Sequence, residues 1–406
     1  MLLGLDPGGT PVGGRRVAVT GIGVVSCCGT GAGEFFEGLL APAPSGERRV
    51  VDFDGSAYFG PKEVRRVDRF AQFSVAAAQM ALDDAGELGV DPARAGVVMG
   101  TGVGGFETLQ TQVTVFNDQG PRRVSPFLVP MMMANAGAAT VSMRVGWHGP
   151  CETLVTACAA GTHAIAAAGR LVASGRVDVA IGGGAEAAMT PVGIAAFTNM
   201  TALSATGMSR PFDARRDGFV IAEGAAVLVL EELEHARARG ATLYAELLGA
   251  ASTADAHHIT APSPGGEGAA ACMELALADA GLAPSEIGHI NAHGTSTPLN
   301  DLAEAQAINK VFGAPGPPVT SVKGVTGHAL GAAGAIEAVA TVISIERSLI
   351  PPTAGYEVAD PEIHLDVVHG GPRHWDPAPA LSNSFGFGGH NGCLVFAPAA
   401  SSQLAP

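Results

Sequence analysis

A segment that occurs twice, half a chain apart, restricts this sequence to few architectures. Q-M-A-L-D-D-A-G at 79–86 returns as E-L-A-L-A-D-A-G at 274–281, 195 residues later in a chain of 406. Each copy is followed by a linker, an apolar strand and a Gly-Thr turn, V-V-M-G-T-G in the first half and H-I-N-A-H-G-T in the second. A repeat on this scale predicts two similar halves, with the ends of corresponding strands converging on one site. Apolar runs at 16–25, 95–102 and 178–184 end in Gly-rich turns and read as buried strands, while helical patterns over 70–85 and 268–280 alternate with them. That alternation predicts mostly parallel sheets covered by helices.

Composition narrows the function. With 47% hydrophobic and 15% charged residues the chain has ample material for a core and is not disordered, and a net charge of −15 excludes a nucleic-acid binder held by overall charge. Six cysteines are too sparse for a disulfide framework and no secretory pattern opens the sequence, so a reducing, cytoplasmic setting is expected. The charge-free stretches 124–143 and 187–209 are interrupted by Pro, Gly, Asn or Thr and are expected as buried core, not membrane spans. Residues 1–14 and 398–406 are aperiodic and read as a flexible arm and tail, leaving halves at 15–245 and 246–397.

Three groups stand out chemically. Cys158, in T-A-C-A-A-G, follows a short apolar approach and precedes an Ala-rich helix, so it is expected at a sharp turn on a helix N-terminus, where the dipole and free N–H groups favour a nucleophilic thiolate. The tiny residues around it leave room for a substrate. His293, in N-A-H-G-T-S-T-P-L-N-D, and His328, in K-G-V-T-G-H-A-L-G-A-A-G, each sit at a Gly-flanked turn, which makes a Cys-His-His constellation. Their spacing fits no common zinc pattern. Lys323 is expected to be partly buried near the site, with Glu337 as its partner. The Gly-rich S-N-S-F-G-F-G-G-H-N-G at 382–392 lacks the Lys and Ser/Thr of a phosphate loop and suits a mobile aromatic over a pocket, with N–H groups free for an oxyanion.

Together these four motifs resemble the β-ketoacyl-[acyl-carrier-protein] synthases, most of all the elongating synthase II type, from about Arg15 to Phe396. The resemblance implies a thiolase-like fold of two pseudo-duplicated α/β halves in a five-layer αβαβα sandwich, acting as a homodimer. It implies decarboxylative Claisen condensation of an acyl group on Cys158 with malonyl-ACP, giving 3-oxoacyl-ACP and CO2. His293 and His328 would bind the malonyl thioester carbonyl, Lys323 and Glu337 would organise them, and Phe387 would gate. The N–H groups of Cys158 and Phe387 would form the oxyanion hole. Thr295 and Thr297 match pantetheine-contacting positions; Val103, Leu128, Ala188, Gly193, Phe197 and Phe385 match the acyl pocket. Lys62, Arg65, Arg66, Arg69, Arg122 and Arg123 match a docking face for acyl carrier protein. No cofactor or catalytic metal is implied, because decarboxylation drives the bond formation, and no nucleic acid or membrane partner.

The chain departs from the family pattern in four places. His390 stands where Thr is usual, Thr201 where Arg is frequent, and the loops at 40–63 and 204–211 are trimmed. These departures leave open a ketosynthase subunit of a type II polyketide or polyene pathway, paired with a cysteine-less, chain-length-factor-like partner. A non-catalytic partner subunit would lack Cys158, and thiolases and chain-initiating synthases use a different set beside the cysteine.

Overall fold

The computed structural model describes residues 14–399. The arm at 1–14 and the tail at 398–406 lie outside the described residues except at their inner ends, where Pro398 still belongs to a strand. The first half runs β1 (Val17–Ser26), α1 (Arg69–Ala85), β2 (Ala95–Gly100), α2 (Phe106–Gln119), α3 (Ala136–Val145), β3 (Cys151–Leu154), α4 (Ala160–Ala173), β4 (Val179–Glu186), α5 (Pro191–Asn199) and β5 (Gly224–Glu232). The second runs β6 (Ala245–Ala254), α6 (Glu267–Ala280), β7 (His289–Asn291), α7 (Pro298–Phe312), β8 (Val319–Thr320), α8 (Ala333–Arg347), β9 (Ala380–Gly386) and β10 (His390–Pro398).

The strands lie in the order β3-β2-β4-β5-β1-β6-β10-β9-β7-β8. Read outward from the β1/β6 junction, both halves give the same sequence of pairings: antiparallel, antiparallel, parallel, parallel. The repeated octapeptides are the C-terminal parts of α1 and α6, in equivalent places. The junction itself is short, with Ala18 opposite Glu246 and Val19 opposite Ala245.

Three apolar clusters define the layers. One lies between α1/α3 and the first half's strands, one between α6/α7 and the second half's strands, and the largest surrounds α4 and α8 between them. Five layers result, αβαβα, which is the thiolase-like arrangement. Close helix–strand approach depends on glycine: a Cβ at Gly23 would stand 1.9 Å from the carbonyl oxygen of Ala77 on α1. The same device brings the two central helices together. A Cβ at Gly161 of α4 would lie 2.7 Å from the nitrogen of Ala335 on α8, and one at Gly334 would lie 2.1 Å from the hydroxyl of Thr162. The helix N-termini that follow Cys158 and His328 therefore touch.

Two expectations need correction. The stretches 124–143 and 187–209 are core only in part: Ala136, Ala138, Val141, Ala187, Ala188 and Met189 are buried, while Phe127, Val129, Met133, Met143, Val192 and Met200 are exposed. Composition is the same for a core segment and for an apolar surface awaiting a partner, and nothing within one chain covers these. No helix among the described residues is long and apolar enough to cross a membrane.

His289, at the start of β7, is fully buried against Trp375, and among the described residues neither ring nitrogen has a hydrogen-bond partner. Burial pushes its pKa down from 6.5 to about 3. The unfolded chain therefore binds a proton in that window and the folded chain does not, so stability falls as pH drops, by up to about 1.4 kcal/mol per pH unit from this ring. His289→Leu is expected to flatten this dependence. Thermal denaturation at pH 7 and pH 5 checks it: the fall in Tm on acidification should be smaller in the variant, and an equal fall refutes it.

Candidate active site

Cys158 occupies a 3-10 turn, Ala157–Ala159, between β3 and α4, and Ala157 before it adopts φ 50°. This left-handed conformation in a non-glycine residue sharpens the turn and presents the thiol at the helix N-terminus. Opposite it, the β9–β10 hairpin reverses through Phe387, Gly388 and Gly389, with Gly386 paired to His390. Gly386 is needed for close approach, since a Cβ there would lie 3.0 Å from the Cys158 nitrogen. The Phe387 N–H meets the Cys158 thiol.

The thiolate expected from the helix terminus is not the resting form. Burial pushes the thiol up to about 11, against the opposing pull of the Phe387 N–H and the Lys323 charge. Removing an anion from water outweighs the partial charges at the helix end. The proton must leave as the substrate arrives.

His293 follows β7 in a turn held by one carboxylate: Glu304 of α7 accepts from the N–H groups of His293 (2.8 Å) and Gly294 (2.7 Å). Lys323 is fully buried, beyond the partial burial expected. Its ammonium donates to the His293 carbonyl (2.7 Å), to His293 Nδ1 (3.2 Å) and to Glu337 of α8. Burial raises Glu337 to about 7 despite that partner. His328 is placed by its backbone, its N–H donating to Val220 (2.7 Å) and its carbonyl accepting from Ala222 (3.0 Å). The two imidazoles stand edge to face, centroids 5.3 Å apart, and His293 also meets the edge of Phe385 at 5.9 Å.

Desolvation and the Lys323 charge hold both histidines well below 6.5, so both are neutral. Lys323 can only donate, so His293 Nδ1 accepts and its proton resides on Nε2. The site thus contains a neutral N–H donor fixed by a buried ammonium, a second neutral imidazole beside it, and a thiol at a helix terminus.

A cavity of about 540 Å³ opens over this cluster, lined by Val103, Cys158, Phe197, Thr295, Thr297, His328, Phe385 and Phe387 among others. Thr295 and Thr297 bond to each other across 2.9 Å on its wall. Thr201 also lines it. Three residues expected in the acyl pocket do not line this cavity. Ala188 is sealed in a cluster with Met189, Phe219, Ile221 and Leu330; Gly193 packs on Ala188 and Phe106; Leu128 stands beside the exposed Phe127 and Val129.

Among the basic residues, Lys62, Arg65, Arg66, Arg122 and Arg123 are exposed, and Arg66 stacks on Phe127 at 4.4 Å, joining the 60s segment to the 120s. Arg69 is turned inward, bound to Glu223 (2.8 Å) and to the Val50 carbonyl (2.7 Å). His390 closes the base of the hairpin, its ring beneath Gly388.

Glu186 and Glu304 were not singled out from sequence. Glu186, fully buried at the end of β4, accepts from Gly102 (2.6 Å) and Gly331 (3.1 Å), tying the rim of the Cys158 half to the loop after His328. Its only signal is a lone acid closing the apolar run G-G-G-A-E.

Residues 47–236 match the model of the β-ketoacyl synthase N-terminal domain and residues 244–357 that of its C-terminal domain. The chain is 46% identical to 3-oxoacyl-[acyl-carrier-protein] synthase 2 of Synechocystis sp., over 94% of this chain and 98% of the relative. It is 43% identical to the protein of the same name from Staphylococcus aureus, over the same shares. Among solved structures, the ishigamide ketosynthase/chain length factor superposes with a TM-score of 0.90 at 35% identity, covering 95% of this chain and all of that one. A type II PKS acyl-carrier protein complexed with its ketosynthase superposes at 0.86 with 32% identity, covering 95% and 100%.

Proposed function

The chain belongs to the β-ketoacyl synthase family, and from that premise we propose that it condenses an acyl group held on Cys158 with malonyl-ACP, giving 3-oxoacyl-ACP and CO2 in fatty-acid elongation. The observation that carries this reading is the thiol of Cys158, met by the Phe387 N–H, in one cavity with His328 and backed by the His293–Lys323–Glu337 chain.

In the first step Cys158 sulfur bonds to the acyl carbonyl carbon, the bond to the carrier's thiol breaks, and that thiol leaves with the proton Cys158 gives up. The oxyanion that forms sits between the N–H groups of Cys158 and Phe387; losing such a donor costs about 10² to 10³ in rate. In the second step the malonyl carboxylate departs as CO2 and its electron pair forms an enolate whose oxygen takes hydrogen bonds from the imidazoles. Neutral imidazoles suit this, because they donate without delivering a proton that would quench the carbanion. The carbanion attacks the acyl-Cys158 carbonyl and the cysteine sulfur leaves.

Intact-protein mass spectrometry tests the reading. Acyl-ACP should leave an acyl adduct on Cys158 that disappears as malonyl-ACP is added; no adduct from any acyl donor refutes it. The acyl length preferred separates fatty-acid elongation from the second reading, a ketosynthase of a type II polyketide or polyene pathway, which rests on the likeness to a ketosynthase/chain length factor and to a type II PKS ketosynthase.

The exposed apolar residues Phe127, Val129, Met133 and Met143, with the open edge of β3, support assembly with a second subunit, a homodimer on the first reading. A cytoplasmic enzyme is proposed, working without cofactor or metal. The basic patch at Lys62, Arg65, Arg66, Arg122 and Arg123 fits an acidic carrier protein despite the net charge, since repulsion is screened within about 8 Å at physiological salt. Arg122→Glu with Arg123→Glu is expected to raise KM for the carrier substrate about 10-fold at low salt while leaving turnover of a carrier-free thioester unchanged. Equal loss on both substrates counts against docking there.

A further inference from the structure

The turn that ends β1 carries two cysteines that condensation does not use. Ser26 pairs with Gly29 and Val25 with Thr30, so Cys27 and Cys28 are the two residues of a tight hairpin turn. Both are half-buried free thiols on adjacent residues. Cys28 Sγ meets the Ser26 hydroxyl at 3.3 Å, and Cys27 Sγ donates to the Thr326 carbonyl at 3.6 Å. Thr326 stands two residues before His328, and the carbonyl before it, on Val325, accepts from Arg48 Nε at 3.0 Å. On the other side, Gly38 packs so tightly that a Cβ there would lie 1.9 Å from the Cys28 carbonyl oxygen. The turn is pinned behind, and the Cys27 thiol faces the segment that leads to His328.

We propose that Cys27 and Cys28 form an oxidisable vicinal dithiol, joined through the Cys27–Thr326 contact to the segment carrying His328, which hydrogen peroxide closes to a disulfide. Cys28 is the attacking sulfur, because the Ser26 hydroxyl, 3.3 Å away, can donate to its thiolate, whereas the Cys27 proton is engaged by the Thr326 carbonyl. Its sulfur takes one peroxide oxygen, the O–O bond breaks, and the other oxygen leaves as water, giving a sulfenic acid. Cys27 sulfur then displaces that oxygen, which leaves as a second water with the Cys27 proton. Two thiols lose two electrons and one peroxide gains them. The disulfide has no S–H, so the Thr326 carbonyl loses its donor and the turn before His328 is released. The effect on catalysis rests on the role proposed above for His328; formation of the disulfide does not.

The test uses full-length Cys158→Ala protein, so that the nucleophile cannot react. After hydrogen peroxide and then alkylation, the peptide bearing Cys27 and Cys28 should escape alkylation and weigh two hydrogens less, and dithiothreitol should reverse this. In the unsubstituted enzyme with Cys158 shielded by an acyl group, peroxide should lower CO2 release from malonyl-ACP several-fold, reversibly. Cys27→Ser keeps an O–H donor for Thr326 and cannot form the bridge, so it should retain basal activity and resist peroxide. Alkylation of both cysteines after prolonged peroxide overturns the site. A disulfide that leaves CO2 release unchanged overturns its coupling to His328.

Discussion

Cys158→Ala is expected to lower condensation at least about 10⁴-fold, because Cys158 is the one thiol that lines the cavity among the described residues. Two further results should accompany that loss. Alanine suits a turn already built from Ala157, Ala159 and Ala160, so the far-ultraviolet spectrum and oligomeric state should match the parent. Release of CO2 from malonyl-ACP should continue, since His293, His328 and Lys323 are untouched. The pH profile of acyl transfer in the parent adds a third arm. With the thiol near 11, the thiolate is scarce at neutral pH and acyl transfer should rise with pH through the neutral range. A profile flat above pH 6 would place the thiolate much lower, as the helix terminus alone suggests. A Cys158→Ala protein that still extends acyl chains would end the proposed mechanism.

The repeat was legible because it survives as sequence: the octapeptides of α1 and α6 face equivalent strands and have kept the same small residues. The fused strand order was not, since the β1/β6 junction rests on two residue pairs with no distinctive pattern. Cys158, His293 and His328 stood out because each lies in a run of small residues at a turn. Lys323 did so because it is one of three lysines in the chain. What covers a segment is not written in its composition, which is why 124–143 read as core throughout although Phe127, Val129, Met133 and Met143 are exposed. Nor is a charge state: the Cys158 environment is set by how many atoms exclude water, and these come from β9, the Phe387 hairpin and α4 together. Glu186 and Glu304 were missed for a related reason. Each acts on backbone N–H groups brought close only by the fold, and no spacing rule connects Glu186 to Gly331.

Lys323→Met should cost both stability and decarboxylation, and the two losses can be separated. The ammonium has three protons and three acceptors: Glu337, the His293 carbonyl and His293 Nδ1. Methionine fills much of the volume and satisfies none of them. Glu337, already raised to about 7 beside a cation, is left in a dry interior without one, and breaking a buried ion pair in this way costs about 3–5 kcal/mol. Independently, His293 Nδ1 is freed from its donor, so the proton is no longer confined to Nε2. Loss of one positioned donor to the enolate is expected to slow CO2 release about 10²- to 10³-fold. Adding Glu337→Gln removes the stranded carboxylate. Urea denaturation of the double variant should then recover most of the stability lost by Lys323→Met, while CO2 release from malonyl-ACP stays as slow as in the single variant. If the double variant regained both, Lys323 would serve only to neutralise Glu337, and the histidine tautomer would be held by some other group.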